Sequence, residues 1–128
     1  MGKFIIRQAK NGPKFDLVAD NGTIIASSQV YRNINTCMAG ISSVKSIAVK
    51  AALEDQTMET FKTQVHPKYE VYLDEAGAYR FRLKAKNGQI VAFSKAFEQK
   101  EDCLACIDSV RANIHGALTE DHTSEGLI

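Results

Sequence analysis

Two cysteines three residues apart, Cys103 and Cys106, are the first side chains in this 128-residue sequence whose types and spacing suggest chemistry. Such a pair exchanges disulfides when its first thiol opens a helix, where the dipole and nearby cations lower the thiol pKa. Here Cys103 falls about one turn inside an apolar helical stripe. A packed, reduced thiol is therefore the expectation, and a thiol redox protein using Cys103 and Cys106 is the alternative. Zinc needs two further ligands, and His66, His115 and His122 show no metal-ligand spacing. Glu120-Asp121-His122 is a candidate acid/base or metal cluster, but neighbours along a strand point to opposite faces and are not expected to converge. Ser27-Ser28 and Ser94 lack the glycine-flanked elbow of a nucleophilic serine, and no phosphate-loop or dinucleotide glycine pattern occurs. No catalytic residue, cofactor or metal is expected, and the chain reads as a non-enzyme.

Arg80, Arg82, Lys84 and Lys86 form the strongest surface candidate. On a strand of period two they share one face, while Tyr79, Phe81, Leu83 and Ala85 take the other. Four cations in a row suit the backbone of a polyanion. The competing reading is a solvated face of a one-sided sheet, neutralised by partners such as Glu70 on the neighbouring strand. The corresponding residues earlier in the chain are Lys14, Asp16, Val18 and Asp20, so the stripe is not duplicated. Base-stacking aromatics are expected to be missing from that face, which makes nucleic acid an unfavoured partner.

The elements that hold these residues occur twice. Asn21-Gly22 recurs as Asn87-Gly88, and 13 of the 33 residues from Phe15 to Ile47 are identical 66 positions later. Cys37 and Cys103 are one of those pairs. A duplication of this kind means that each copy is one supersecondary unit burying its apolar face against the other. Each unit reads as three strands, a helix and a short final strand. In the first, residues 3–9 are a β-rich run and residues 14–20 alternate. Asn21-Gly22 is read as the two positive-φ residues of a type I′ hairpin, and residues 23–28 return. Ile34, Cys37, Met38, Ile41, Val44 and Ile47 then recur at intervals of three and four, a helix with Asn33 as its N-cap. The second copy runs through strands at 68–74, 79–86 and 89–94 and a helix at 99–113. Fourth strands are expected near 51–57 and 116–123.

Lys68-Tyr69-Glu70-Val71-Tyr72, the run from Tyr79 to Ala85, and Asn87-Gly88-Gln89-Ile90-Val91-Ala92 resemble the YegP-like family of small bacterial and archaeal proteins. The helix segment running from Cys103 to Ile107-Asp108-Ser109-Val110-Arg111 is similar to that family's second signature. The resemblance implies an α+β fold: tandem β-β-β-α-β units forming one antiparallel sheet, two helices on one face, and exchanged C-terminal strands. It implies no catalytic or binding residues, because the family has none assigned. The first copy departs from the pattern by one residue, with Pro13-Lys14-Phe15 standing where Ala78-Tyr79-Arg80-Phe81 stands in the second.

Length and composition agree with one compact domain: a first repeat at 1–57, a linker at 58–66, a second repeat at 67–123 and a loose tail at 124–128. At 45% hydrophobic and 24% charged the chain is neither disordered nor membranous, and no apolar run is long enough to span a bilayer. A net charge of +1 implies neither nucleic acid nor membrane as a partner. A monomeric cytoplasmic protein, a small non-catalytic binding or interaction module, is the reading these features favour. A weak polyanion binder is the second and the redox protein the third.

Overall fold

The computed structural model describes residues 1–127 as one eight-stranded sheet with two helices. The first repeat supplies β1 (Lys3–Ala9), β2 (Gly12–Val18), β3 (Ile24–Ser27), α1 (Ile34–Ile47) and β4 (Ala52–Asp55). The second supplies β5 (Lys68–Leu73), β6 (Tyr79–Lys84), β7 (Ile90–Phe93), α2 (Lys100–Ile114) and β8 (Leu118–Asp121). Across the sheet the order is β4-β5-β6-β7-β3-β2-β1-β8, so the final strand of each repeat crosses to the far edge and lies beside the first strand of the other.

This exchange is the one expected, but the sheet is mixed rather than antiparallel. β4 runs parallel to β5 and β8 parallel to β1. Parallel neighbours require a long connection that returns the chain to the same end of the sheet. Residues 56–67 provide that return between β4 and β5. The two halves meet in the sheet through one residue pair, Ser27 opposite Phe93, which are themselves repeat equivalents. The helices secure this thin seam: α1 packs on β2 of its own repeat and β7 of the other, and α2 on β6 and β3.

Both helices and the strands share a single core. Phe4, Phe15, Leu17, Cys37 and Ile41 meet Tyr69, Phe81, Leu83, Cys103 and Ile107 there, each at 2% exposure or less. Asn33 caps α1 as expected, its side chain accepting from the Thr36 amide while Thr36 accepts from the Asn33 amide. α1 stops after Ile47 with Ala48 as its C-cap, where the chain turns to enter β4.

The hairpin turns are not type I′. Asn21 keeps negative φ and only Gly22 is positive, at 85°. The Gly22 amide donates to Ala19 and the Ala19 amide to Thr23, with a register shift at Leu17/Val18. That geometry is a type I turn closed by a glycine bulge, and the extra residue lets Ile25 turn inward beside Ala26. The Asn21 carboxamide holds the turn by accepting from the Thr23 amide at 3.0 Å. Asn87 and Gly88 repeat the arrangement, with Gly88 at φ 83° and the Gln89 amide on Asn87. β2 begins two residues earlier than expected, since Gly12 and Pro13 already pair with Ala9 and Gln8. In and just before the segment expected to be a loose tail, 124–128, Thr123–Glu125 form a 3-10 turn and Leu127 bridges to Gln8, while Ile128 lies outside the described residues. None of the helices among the described residues is long and apolar enough to cross a membrane.

Candidate functional site

Arg80, Arg82 and Lys84 lie on the helix-free face of β6, as their period-two spacing requires. Lys86 does not join them. β6 ends at Lys84 after a bulge at Leu83/Lys84, and Lys86 lies in the hairpin loop, beside a cleft it shares with Ser43, Lys50 and Pro67. The three remaining cations are engaged. Arg80 holds Asp74 at 2.7 Å, while Arg82 and Lys84 reach Glu70 at 2.6 and 3.1 Å. The acid expected to neutralise the stripe does so.

Glu70 is 3% exposed and also takes Lys68 at 3.1 Å; Lys68 in turn binds buried Glu54 at 2.8 Å. Gln56 Nε2 and the Gln64 amide donate to Glu54 as well, so residues 56–64 fold back over this acid. Burial alone raises the Glu70 pKa, but hydrogen bonds from Arg82, Lys84 and Lys68 outweigh it and bring the group to about 2. The first repeat builds the same motif with the partners moved. Asp16 stands at the Arg82 position and is 3% exposed. It receives Arg7 at 3.2 Å, Lys14 at 3.1 Å and the Ser27 hydroxyl at 2.7 Å. Each half therefore sets one buried acid beneath two partly exposed cations. Aromatics are not missing from this face, contrary to the sequence expectation. The sheet pairs β5 with β6 and puts Tyr72 under Arg82, 4.2 Å from guanidinium carbon to ring centre, while Phe93 lies directly opposite Arg82 on β7.

The environment of each thiol disfavours the thiolate. Cys37 and Cys103 are fully buried at equivalent core positions, and burial is the main cause that pushes each to about 11. Cys106 is pushed to about 11 by the same cause, and its thiol donates to the Ile25 carbonyl at 3.2 Å. A thiol of that pKa is almost wholly protonated near neutral pH, which withholds the nucleophile that exchange requires. Ser28 and Ser94 are structural: each accepts from the amide of Phe15 or Phe81 at 2.9 Å and donates to the next carbonyl at 2.7 Å. Near the C-terminus the expectation of no convergence fails in part. Glu120 and His122 approach to 3.0 Å and Glu125 closes on the imidazole at 2.8 Å, because the chain bends into the 3-10 turn just after β8. Asp121 turns away to hold Thr123.

Sequence reasoning missed a feature that the tertiary structure makes plain. Two shallow grooves, of about 250 and 280 Å³, lie where the hairpin of one repeat faces the helix of the other. Every one of the eleven residues lining the first has its counterpart, 66 positions away, lining the second. Ala19, Asn21, Ile24, Ala39 and Ser43 recur unchanged as Ala85, Asn87, Ile90, Ala105 and Ser109. Elsewhere the copies have diverged in a compensated way. In the α1 groove the Tyr31 hydroxyl sits 2.3 Å from where a Cβ on Gly40 would stand. The α2 groove has Phe97 and Cys106 at these positions, so a lost hydroxyl coincides with a gained thiol. The same Cβ would also meet the Tyr31 ring at 2.7 Å and the Phe15 ring at 3.2 Å, so position 40 leaves no room for a side chain in the first repeat as it stands. The sequence signal was present in the 66-residue offset, but nothing in a linear reading puts residues 19–25 against residues 102–109.

A family model described as a domain of unknown function, DUF1508, matches residues 9–55 and again 74–121. The UPF0339 protein YegP of Yersinia pestis is 32% identical over 124 residues, covering 96% of this chain and 97% of that one. A UPF0339 protein of Methanosarcina acetivorans is 54% identical over 50 residues, which are 39% of this chain but 86% of the relative, a protein of one repeat's length. The solution NMR structure of Escherichia coli YegP, a protein of unknown function, superposes with a TM-score of 0.79 at 27% identity, over 98% of this chain and 96% of that one. With both repeats matched by the family model, the chain belongs to the DUF1508 family.

Proposed function

We propose that the protein is a non-catalytic binding module whose ligand sites are the two grooves between hairpin and helix. The observation that carries this reading is their equivalence: eleven lining positions in one correspond to eleven in the other, across a junction that neither repeat contains alone. What supports a non-catalytic role is the state of the reactive groups. The thiols sit near pKa 11, and the buried carboxylates are saturated by cations and amides. The test is a thermal-shift and NMR screen of metabolites against the wild type and against Ala39→Trp/Ala105→Trp. These two exposed helix positions line one groove each. Ligands that stabilise the wild type and are lost in the double variant are expected; ligands indifferent to both tryptophans overturn the reading.

A second reading, a polyanion binder on the helix-free face, is favoured by Tyr72 and Phe93 beside Arg82. Against it stands the engagement of Arg82 and Lys84 by Glu70 on β5 and of Arg80 by Asp74 in the turn that follows it. Binding of single-stranded oligonucleotides is expected to be undetectable at physiological salt. Saturable binding tighter than about 10 μM, salt-steep and lost in Arg80→Glu/Arg82→Glu, would reverse that order.

A further inference from the structure

The two grooves share a scaffold but not a charge. Where the α1 groove has Gln29 and Thr36, the α2 groove has Lys95 and Asp102. Every other side chain lining either groove is uncharged at neutral pH. Among the described residues neither ion has an oppositely charged partner within 4 Å, and they do not pair with each other. Lys95 instead leans over the Phe97 ring at 5.5 Å. This contrasts with the sheet face, where arginine after arginine is matched to an acid. The groove thus presents one cation and one anion held apart on different segments, Lys95 just after β7 and Asp102 in the first turn of α2. Phe97, Ile24, Ile25 and Ala105 contribute apolar lining to the same groove.

We infer that the α2 groove binds a small dipolar molecule, an α-amino acid with an apolar side chain. Lys95 takes the carboxylate, Asp102 takes the ammonium, and the side chain lies against Phe97 and Ile24. A groove of about 250 Å³ is of the size such a molecule fills. The uncharged α1 groove lacks both ionic contacts and rejects the same ligand, so the duplication has produced two sites of different selectivity. The proposal rests on the reading of the grooves as ligand sites, and names the chemistry of one of them.

The test is an NMR titration of the ¹⁵N-labelled full chain with L-leucine, with L-leucine methyl ester, which lacks the carboxylate, and with N-acetyl-L-leucine, which lacks the ammonium. L-leucine is expected to give saturable shifts confined to residues 19–25, 95–97 and 102–109, with a dissociation constant on the order of 1 mM, ordinary for so small a ligand. Each blocked analogue is expected to bind at least about tenfold more weakly, because one charge is then left without its partner. Lys95→Gln and Asp102→Thr install the residues of the sister groove at exposed positions. Lys95→Gln is expected to bring L-leucine and its methyl ester to equal affinity, and Asp102→Thr to do the same for L-leucine and its N-acetyl form. Shifts that do not saturate, that persist unchanged in both variants, or that map to the α1 groove overturn the inference. If the metabolite screen finds groove ligands while L-leucine moves nothing, the dipolar assignment fails and the broader reading stands. If no compound perturbs either groove, both fail.

Discussion

At the scale of single residues, Glu70 shows how burial and charge settle against each other. It lies beneath Lys68, Arg82 and Lys84, and its pKa falls from an ordinary 4.5 to about 2. Because the folded value lies below the unfolded one, the carboxylate stabilises the fold fully above about pH 5. That contribution, about 3 kcal/mol, is lost as pH falls through 4 toward 2. Acid titration of stability should show this loss in the wild type and not in Glu70→Gln. The variant should be weaker at pH 7 by about 2–4 kcal/mol, since Lys68 stays buried with Glu54 as its remaining acid. A pH profile unchanged by the substitution would contradict the assignment. The groove pair Tyr31/Gly40 makes a second case. Gly40→Cys alone is expected to destabilise by about 2 kcal/mol or more, because its Cβ meets the Tyr31 hydroxyl and ring and the edge of Phe15. Adding Tyr31→Phe recreates the Phe97/Cys106 pairing and should return at least about 1 kcal/mol of coupling energy in a double-mutant cycle. Strict additivity would show that the two sites compensate nothing.

At the scale of elements, the exchanged strands matter most. β8 lines the open edge of β1 and β4 that of β5, so each repeat's first strand is completed by the other repeat's last. The His122 amide extends this by donating to the Ile6 carbonyl at 2.7 Å. Removing residues 116–128 should therefore lower hydrogen-exchange protection in β1 and β2, a hundred residues away in sequence, and not only in the helix from which the segment departs. Loss of protection restricted to residues 67–115 would be the opposite outcome. Exposing β1 also frees an edge of Phe4, Ile5 and Ile6, so the truncated chain should aggregate more readily.

At the scale of the whole molecule, the duplication determines what can stand alone. A fragment of residues 1–57 keeps three strands, a helix and a β4 whose pairing partner has been removed. Its helix packs on β7 in the full chain, so that face also loses its cover. The fragment is expected to associate in pairs, each copy supplying what the second repeat supplied; apolar surface left in water costs about 25 cal/mol per Å². The existence of a relative of one repeat's length fits this expectation. The full chain, with its partner in tandem, should sediment as a monomer, and a stable folded monomer of the fragment would refute the argument.

Much of the architecture was legible because it rests on local rules repeated twice. The period of three and four from Ile34 to Ile47, the alternation in β2 and the Asn33 cap depend on contacts within a few residues, and the 66-residue offset made each a check on the other. Lys86 failed for a local reason too: period two holds only while the strand continues, and a bulge at Leu83/Lys84 precedes its end. What the sequence left open was set by contacts with no linear signal. The direction of β4 depends on where residues 56–67 deliver β5. Tyr72 reaches Arg82 only because β5 and β6 pair in one register. The grooves arise where residues 19–25 meet 102–109, a meeting produced by α2 crossing onto β3 of the other repeat. The sequence by itself therefore determined the units and their faces, through hydrophobic period and turn chemistry. Only the tertiary structure decided which unit's helix lies over which unit's strand, because that choice belongs to long-range packing and leaves each local pattern unchanged.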